Sequence, residues 1–497
     1  MRYTPKFLLT IISLLLMPIF GSCQSSEEVR QPSNILFIAV DDLRTELNCY
    51  GATHIKSPNI DKLANNGVRF TNAHAQQAIC MASRASILSG IRPEKRGIYT
   101  GESIDKTMPD VLTMNKFFEQ NGYAIASTGK IYHYEEDTEK QFGETYIEPE
   151  PTWEGKGYVT ERGIKELRLS AKPGNGPPYE SAKVHDTIYP DGLNTLNAIR
   201  SLDALKDQGK PFFMAVGLVK PHLPFNAPQK YWDMYPEDSI ELSELTERPE
   251  NTSKYTVRPG GELSNYYRMP KLFEDVQDST ALKLRRGYYA CVSYIDAQVG
   301  KLVDKLEESG LRENTVIVLW GDHGYKLGDY DSWCKWSNMD IDTNVPLIFD
   351  VPGGREGEAH KRPVEALDIY PTLAELCGFK LPEHLEGKSL ASILDSSKQD
   401  STEKAYAFSI WPDNRWNYDK TVMGYSVTDD RYNYVEWVQL NTGEVLEREL
   451  YDHEKDPKET RNVISDSEYS DVIAELAMKV KERKETTDHD HDLKKLR

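Results

Sequence analysis

The chain carries residue types that seldom gather without a chemical reason. Asp41 and Asp42 stand side by side, Asp322 and His323 form an acid–imidazole pair, and Lys130, His133, His222 and Lys335 fall at wide intervals between and after them. Cys80 opens the run Cys80-Met81-Ala82-Ser83-Arg84, which puts a cysteine close to a permanent positive charge. Several carboxylates together suit a hard divalent cation, calcium or magnesium, which takes oxygen ligands. Lysine, arginine and histidine beside them suit an anion whose oxygens must be held while protons move. Taken singly, each reads as a solvated or structural residue; together they ask for one site.

The elements that would position them are legible as apolar runs. Asn34–Val40 ends at Asp41-Asp42, Gly122–Ser127 ends at Gly129-Lys130, and Pro211–Val219 ends at Lys220-Pro221-His222. Thr315–Trp320 ends at Gly321-Asp322-His323-Gly324, and Val345–Val351 is a fifth run. Compact runs of this kind suit strands buried on both faces. Val292, Ile295, Val299, Leu302 and Leu306 recur at helical spacing, with Gly310 placed to stop the helix. Strand–helix alternation predicts an α/β fold with a largely parallel sheet covered on both faces. Ligands bind such sheets at the carboxyl ends of the strands, so residues far apart in sequence would meet in one crevice.

Composition bounds the rest. With 497 residues, 39% apolar and 28% charged, the chain reads as globular rather than disordered or multi-spanning. A formal charge of −19 argues against nucleic acid as a partner and requires any anion site to be a local basic cluster. Residues 1–23 read as a targeting segment: Arg2 and Lys6, an apolar run from Phe7 to Phe20, then Gly21 and Ser22 before Cys23. The run is short for a membrane span. Small residues before Cys23 resemble a bacterial lipobox. The chain is expected to be exported, either as an outer-membrane lipoprotein held to the membrane only by a lipid on Cys23, with 24–32 as tether, or as a periplasmic protein after a simple secretory signal is cleaved nearby. The main domain is expected over 33–394, with a polar boundary near Asp395–Lys404. A smaller α+β subdomain over 395–497 is built from Ala405–Trp411, Met423–Val427, Tyr432–Val438 and a helix from about Glu468. Glu135–Asp191 and Glu247–Met269, rich in proline, glycine and charge, read as binding loops. The His-Asp alternation at Asp488–Asp492 reads as a solvated end. Cys23, Cys49, Cys80, Cys291, Cys334 and Cys377 fit neither a zinc site nor a dense disulfide framework, and their pairing stays open.

Cys80-Met81-Ala82-Ser83-Arg84 with Ser89-Gly90 resembles the sulfatase signature Cys-x-Pro-Ser-Arg with a downstream Thr-Gly, departing from it at Ala82 and Ser89. Blocks at 34–42, 57–73, 129–133, 220–225, 321–324, 333–335, 365–373 and 385–390 are similar to further segments of that family. Lys220–Phe225, Met423–Ser426 and Tyr432–Trp437 look most like its iduronate-2-sulfatase branch. The resemblance implies an alkaline-phosphatase-like fold: a large mixed, mostly parallel sheet between helices, with a smaller C-terminal subdomain. It implies that a maturation enzyme oxidises Cys80 to formylglycine, and that Asp41, Asp42, Asp322, His323 and residue 80 hold one calcium ion. Arg84 would then polarise residue 80, Lys130 and Lys335 bind sulfate oxygens, His222 with Lys335 protonate the leaving sugar oxygen, and His133 take the proton that releases sulfate. The expected substrate is a sulfated oligo- or polysaccharide, with 2-O-sulfated uronic acid favoured and an algal polysaccharide such as ulvan the alternative. Competing classes are a phosphoester or phosphonate hydrolase and a non-catalytic glycan-binding protein.

Overall fold

The computed structural model describes residues 1, 34–99, 103–151, 153–257, 261–271, 274–398, 404–413 and 421–486. Cys23, the targeting segment, the tether, part of the 395–404 boundary and Asp488–Asp492 lie outside the described residues. No helix among the described residues is long and apolar enough to cross a membrane.

The main sheet has eight strands: β1 Asn34–Val40, β2 Val68–Phe70, β3 Ala124–Gly129, β4 Tyr146–Ile147, β5 Phe212–Leu218, β6 Thr315–Gly321, β7 Leu347–Asp350 and β8 Glu358–His360. Their order is β8-β2-β7-β6-β1-β5-β3-β4. β1 pairs in parallel with β5 and β6, and β3 in parallel with β5 and β4. The fifth apolar run, β7, is antiparallel to both β6 and β2, which makes the sheet mixed.

The alternation of side chains along β1 explains two cores. Leu36, Ile38 and Val40 face one cluster, while Ile35, Phe37 and Ala39 face the other. β5 divides in the same way, Met214 and Val216 to the first and Phe213 and Ala215 to the second. The first face is covered by helices α1 Pro58–Asn66, α3 Pro190–Asp207 and α4 Asp278–Glu308. In α4, Val292, Ile295, Val299, Leu302 and Leu306 are all buried, as their spacing requires, and Gly310 follows the last turn in a left-handed conformation. The second face is covered by helix α2 Cys80–Ser89, which contributes Met81, Ala82, Ala85, Ile87 and Leu88 to that cluster. Burying a side chain of the size of Met81, Ile87 or Leu88 is worth about 1.5–3 kcal/mol, so α2 is seated firmly.

Ser33–Arg497 forms one compact unit. Within it the C-terminal strands β9 Ala407–Pro412, β10 Val422–Thr428, β11 Tyr432–Gln439 and β12 Glu444–Asp452 make an antiparallel sheet in sequence order. Trp411, Val422, Val435 and Trp437 join the second core, while Met423, Val427, Tyr434 and Leu450 pack with Leu476 and Val480 of helix α5 Ser470–Glu485. β12 escapes sequence reading because Glu444, Glu447, Arg448 and Glu449 break its apolar pattern. The stretch 135–191 is more ordered than its composition suggests, with helices at Glu135–Phe142 and Glu161–Leu169 and a strand at Tyr179–Ala182. Thr160 caps the second helix by accepting from the Gly163 N–H. By contrast, the described part of 247–269 has one short helical turn at Leu263–Asn265 and a single β-bridge from Glu250 to Arg461.

Candidate active site

The carboxyl ends of β1, β3, β5 and β6 meet beside the first turn of α2. Asp41 and Asp42 continue β1 and are fully buried. Asp42 adopts a left-handed backbone (φ 57°), a conformation aspartate tolerates better than most residues. That turn lets its N–H donate to Asp322 Oδ1 at 2.9 Å, tying the end of β1 to the end of β6. Cys80 is the first residue of α2, where an unpaired helix terminus favours negative charge. Its Sγ lies 3.1 Å from His323 Nε2 and 3.7 Å from Asp42 Oδ1.

One turn along α2, Arg84 lies wholly inside the protein and every edge of its guanidinium is occupied. Nε donates to Asp322 Oδ2 at 2.9 Å and Nη2 to Asp41 Oδ1 at 3.1 Å, while Nη1 donates to the carbonyls of Lys130 and Ile131 at 2.5 and 3.0 Å. Three strand ends are thus locked to one helix. Lys130 Nζ donates to Asp41 Oδ2 at 2.5 Å. Burial pushes the Asp41 carboxyl up, but Lys130 and Arg84 outweigh it and hold the group well below the usual carboxylate range.

The β3 and β5 ends come close enough to need glycine. Gly129 (φ 74°) pairs with Gly217, and a Cβ on Gly217 would lie 2.1 Å from the Lys130 carbonyl oxygen. After β5, Asp191 accepts from the N–H groups of Val219 and Lys220 at 2.6 and 2.8 Å. Buried Lys220 donates to the carbonyls of His222 and Pro224, both at 2.7 Å, which shapes the loop that presents His222. His222 Nδ1 is held by the Leu223 carbonyl at 2.5 Å, leaving Nε2 directed into the cleft. Lys335 sits between Cys334 (φ 73°) and Trp336 (φ 97°), two non-glycine residues in left-handed backbone, a form of strain that collects at functional sites. Its Nζ contacts Asp42 Oδ1 and Oδ2 at 2.8 and 3.0 Å.

All ten sequence-derived site residues are brought together. A cleft of about 490 Å³ is lined by Cys80, His133, His222 and Lys335, and an adjoining one of about 490 Å³ by Asp41, Lys130, His133 and His222. Arg84, Asp322 and His323 lie behind them, fully buried. His133 opens to solvent at the mouth; partial enclosure and the nearby Lys130 charge lower its pKa and keep the imidazole neutral. A larger cavity, about 600 Å³ and lined by Arg44, Glu46, His54 and Asp329, contains none of these ten residues.

The donors fit a cation. Ligand atoms of Asp41, Asp42, Cys80 and His222 lie within 4.8 Å of one another, as do those of Cys80, Asp322 and His323. His323 Nδ1 is satisfied by the Gly324 carbonyl at 2.9 Å, which aims Nε2 at Cys80, at Asp42 Oδ1 (3.3 Å) and at Asp322 Oδ1 (3.7 Å), a common arrangement for a metal-binding imidazole. Burial opposes charging His323, yet Asp322, Cys80 and Asp42 raise its pKa to about 10, and burial raises the Asp42 carboxyl to about 6 despite Lys335. Both shifts mark a cluster that draws positive charge inward.

Glu262 was not anticipated. It comes from the 247–269 stretch, and its carboxylate bridges the cleft: Oε1 is 3.1 Å from His222 Nε2, and Oε2 is 2.9 Å from Lys335 Nζ. Neither periodicity nor spacing singles out one glutamate in an irregular, charge-rich segment. Lys220 was visible in its Lys-Pro-His run, but its role in shaping that loop depends on backbone contacts.

A mostly parallel sheet ending in buried carboxylates and cations around a helix-borne cysteine defines a hydrolase of anionic esters on an alkaline-phosphatase-like fold. The sulfatase family model matches residues 33–379, and the model described as N-sulphoglucosamine sulphohydrolase, C-terminal, matches 328–486. The chain belongs to the sulfatase family and is a sulfuric ester hydrolase. It is 30% identical to iduronate 2-sulfatase of Homo sapiens, over 91% of this chain and 95% of that protein. It is 32% identical to a sulfatase of Formosa agariphila, over 95% and 91% respectively. Its fold is similar to that of a phosphonate monoester hydrolase from Silicibacter pomeroyi, with a TM-score of 0.73 at 22% identity over 93% of this chain and 96% of that one.

Proposed function

We propose that the protein removes sulfate esters from a sulfated glycan, with a 2-O-sulfated uronic acid as the favoured unit, using formylglycine made from Cys80 and one calcium ion. The observation that carries this reading is the position of Cys80: its Sγ lies 3.1 Å from His323 and shares one cleft with His133, His222 and Lys335. In the mature enzyme a hydroxyl of hydrated formylglycine would stand where Sγ now is. Asp41, Asp42, Asp322, His323 and residue 80 would hold the cation, which when bound would acidify that hydroxyl and offset the charge of the sulfate.

The remaining roles follow from the side chains. Arg84 fixes Asp41 and Asp322, so the carboxylates face the cleft in one orientation. Lys130 and Lys335, which line two adjoining clefts that share His133 and His222, bind sulfate oxygens and neutralise charge growing on them. His222, with Nδ1 held by a carbonyl, presents Nε2 beside Lys335 to protonate the departing sugar oxygen. Neutral His133 at the mouth accepts the proton whose loss frees sulfate. A local basic cluster in a cleft focuses the field, so an anionic substrate is admitted despite the −19 overall charge.

The 30% identity to a protein named iduronate 2-sulfatase supports the uronate preference. Export, with a lipid on Cys23 as the sole membrane attachment, completes the reading and rests on the N-terminal sequence. The test is twofold: mass spectrometry of the Cys80 peptide from natively expressed protein, and sulfate release from a panel of defined sulfated saccharides that includes ulvan fragments. An unmodified thiol in every preparation would defeat the formylglycine mechanism. Failure to release sulfate from every saccharide of the panel would defeat the glycan assignment.

A further inference from the structure

The two groups assigned to the leaving-group end of the sulfate site are already engaged. With Nδ1 held by Leu223, His222 has only Nε2 to offer, and Nε2 is taken by Glu262 Oε1. Lys335 Nζ is shared between Asp42 and Glu262 Oε2. The carboxylate therefore presents one oxygen to an ammonium and the other to an imidazole nitrogen, as the O–S–O edge of a sulfate ester would. Its backbone is anchored: the neighbouring Leu263 and Tyr266 are buried in the first core, and the Tyr267 N–H donates to the Gly176 carbonyl at 2.9 Å. Displacement thus needs only side-chain rotation, and the competing anion stays permanently within reach. Glu262 also lines the adjoining cleft with Lys156, which offers the displaced carboxylate a new cationic neighbour.

We propose that Glu262 is an internal anion that occupies the leaving-group end of the sulfate site and yields Lys335 and His222 only when a sulfate ester arrives. This rests on the roles given to Lys335 and His222 above. Burial would raise the carboxyl, but Lys335 and His222 outweigh it and hold Glu262 well below its ordinary range, so the occupant is charged. The physical consequence is selectivity. A bare cationic cleft would take up any small anion, whereas an occupied one favours ligands whose sugar contacts supply additional free energy.

The test is calorimetric titration of inorganic sulfate into the calcium-loaded full-length protein and into Glu262→Gln. The variant should bind sulfate about tenfold more tightly, a difference of about 1.4 kcal/mol, with a parallel fall in KM for a sulfate ester. Equal or weaker binding by the variant overturns the inference and leaves Glu262 as a structural brace. If Glu262→Gln unfolds, a sulfate-soaked crystal of the unaltered protein decides: Glu262 oxygens withdrawn from both Lys335 and His222 support displacement, and retained contacts refute it. Should the unaltered protein neither bind sulfate nor hydrolyse sulfate esters, the proposed function falls and this inference falls with it.

Discussion

The Lys130 carbonyl lies against the α-carbon of Gly217, so close that any side chain on Gly217 would put its Cβ 2.1 Å from that oxygen. The same oxygen accepts from Arg84 Nη1 at 2.5 Å. A glycine in β5 therefore sets the position of a lysine in the cleft and of the buried arginine behind it. Gly217→Ala must push the Lys130 peptide away, and overpacking of this kind costs about 1–3 kcal/mol. The expected result is a lower thermal midpoint and at least a tenfold loss of turnover, measured on the same preparation. Unchanged kcat/KM would show that the site tolerates the shift.

Arg84 is the strongest test of the buried charge balance. Arg84→Ala leaves Asp41 and Asp322 facing each other inside the protein without their guanidinium, and breaking a buried pair in this way costs about 3–5 kcal/mol. Urea unfolding should show a loss of that size. A loss below about 1 kcal/mol would mean that the carboxylates simply take up protons.

Cation binding should be visible as stability. If Asp41, Asp42, Asp322 and His323 hold calcium, the chelated protein should melt at a lower temperature, and added calcium should raise the midpoint progressively with its concentration. His323→Ala should flatten that dependence. A midpoint indifferent to both chelator and calcium would contradict the metal assignment.

Far from the cleft, His453 predicts a pH effect. Its Nε2 lies 2.9 Å from Glu459 Oε1, while Glu459 also accepts from Asn433 Nδ2 at 2.7 Å and from the Asp340 N–H at 2.9 Å. Burial opposes the charge, but the Glu459 bond and neighbouring acids raise the His453 pKa from 6.5 to about 9. The folded state thus binds this proton more tightly than the unfolded state. The stabilisation is complete below pH 6.5, fades between 6.5 and 9, and is lost above that, with an upper bound of about 3 kcal/mol. Denaturant titrations at pH 6 and pH 9.5 should reveal it, and the difference should shrink in His453→Gln.

Most of the site was readable because it follows strand ends. Asp41, Lys130, His222 and Asp322 each come just after an apolar run, and parallel sheets gather such positions along one edge. The four central strands were recognisable because they are buried on both faces and therefore continuously apolar. β12 was hidden because charged residues on its exposed half imitate a loop. The helices inside 135–191 were hidden by surrounding glycines and prolines, although each is a normal short helix. Glu262 could not be found from sequence, since its importance comes from two long-range contacts and from nothing in its local pattern. Cys49, Cys80, Cys291, Cys334 and Cys377 form no disulfide among the described residues, an outcome that depends on three-dimensional distances rather than on spacing.

Glu449, buried in β12, accepts from the Ser253 N–H at 2.9 Å, from Thr252 Oγ1 at 2.8 Å and from Trp437 Nε1 at 2.9 Å. One of the last strands to leave the ribosome therefore fastens the stretch that leads to Glu262. Cys80, synthesised far earlier, is only 3% exposed in the finished protein. A protein-sized catalyst cannot reach a side chain so enclosed. If a protein-sized catalyst oxidises Cys80, it must act before folding encloses the side chain, and the chain's own folding rate then limits the time available to it.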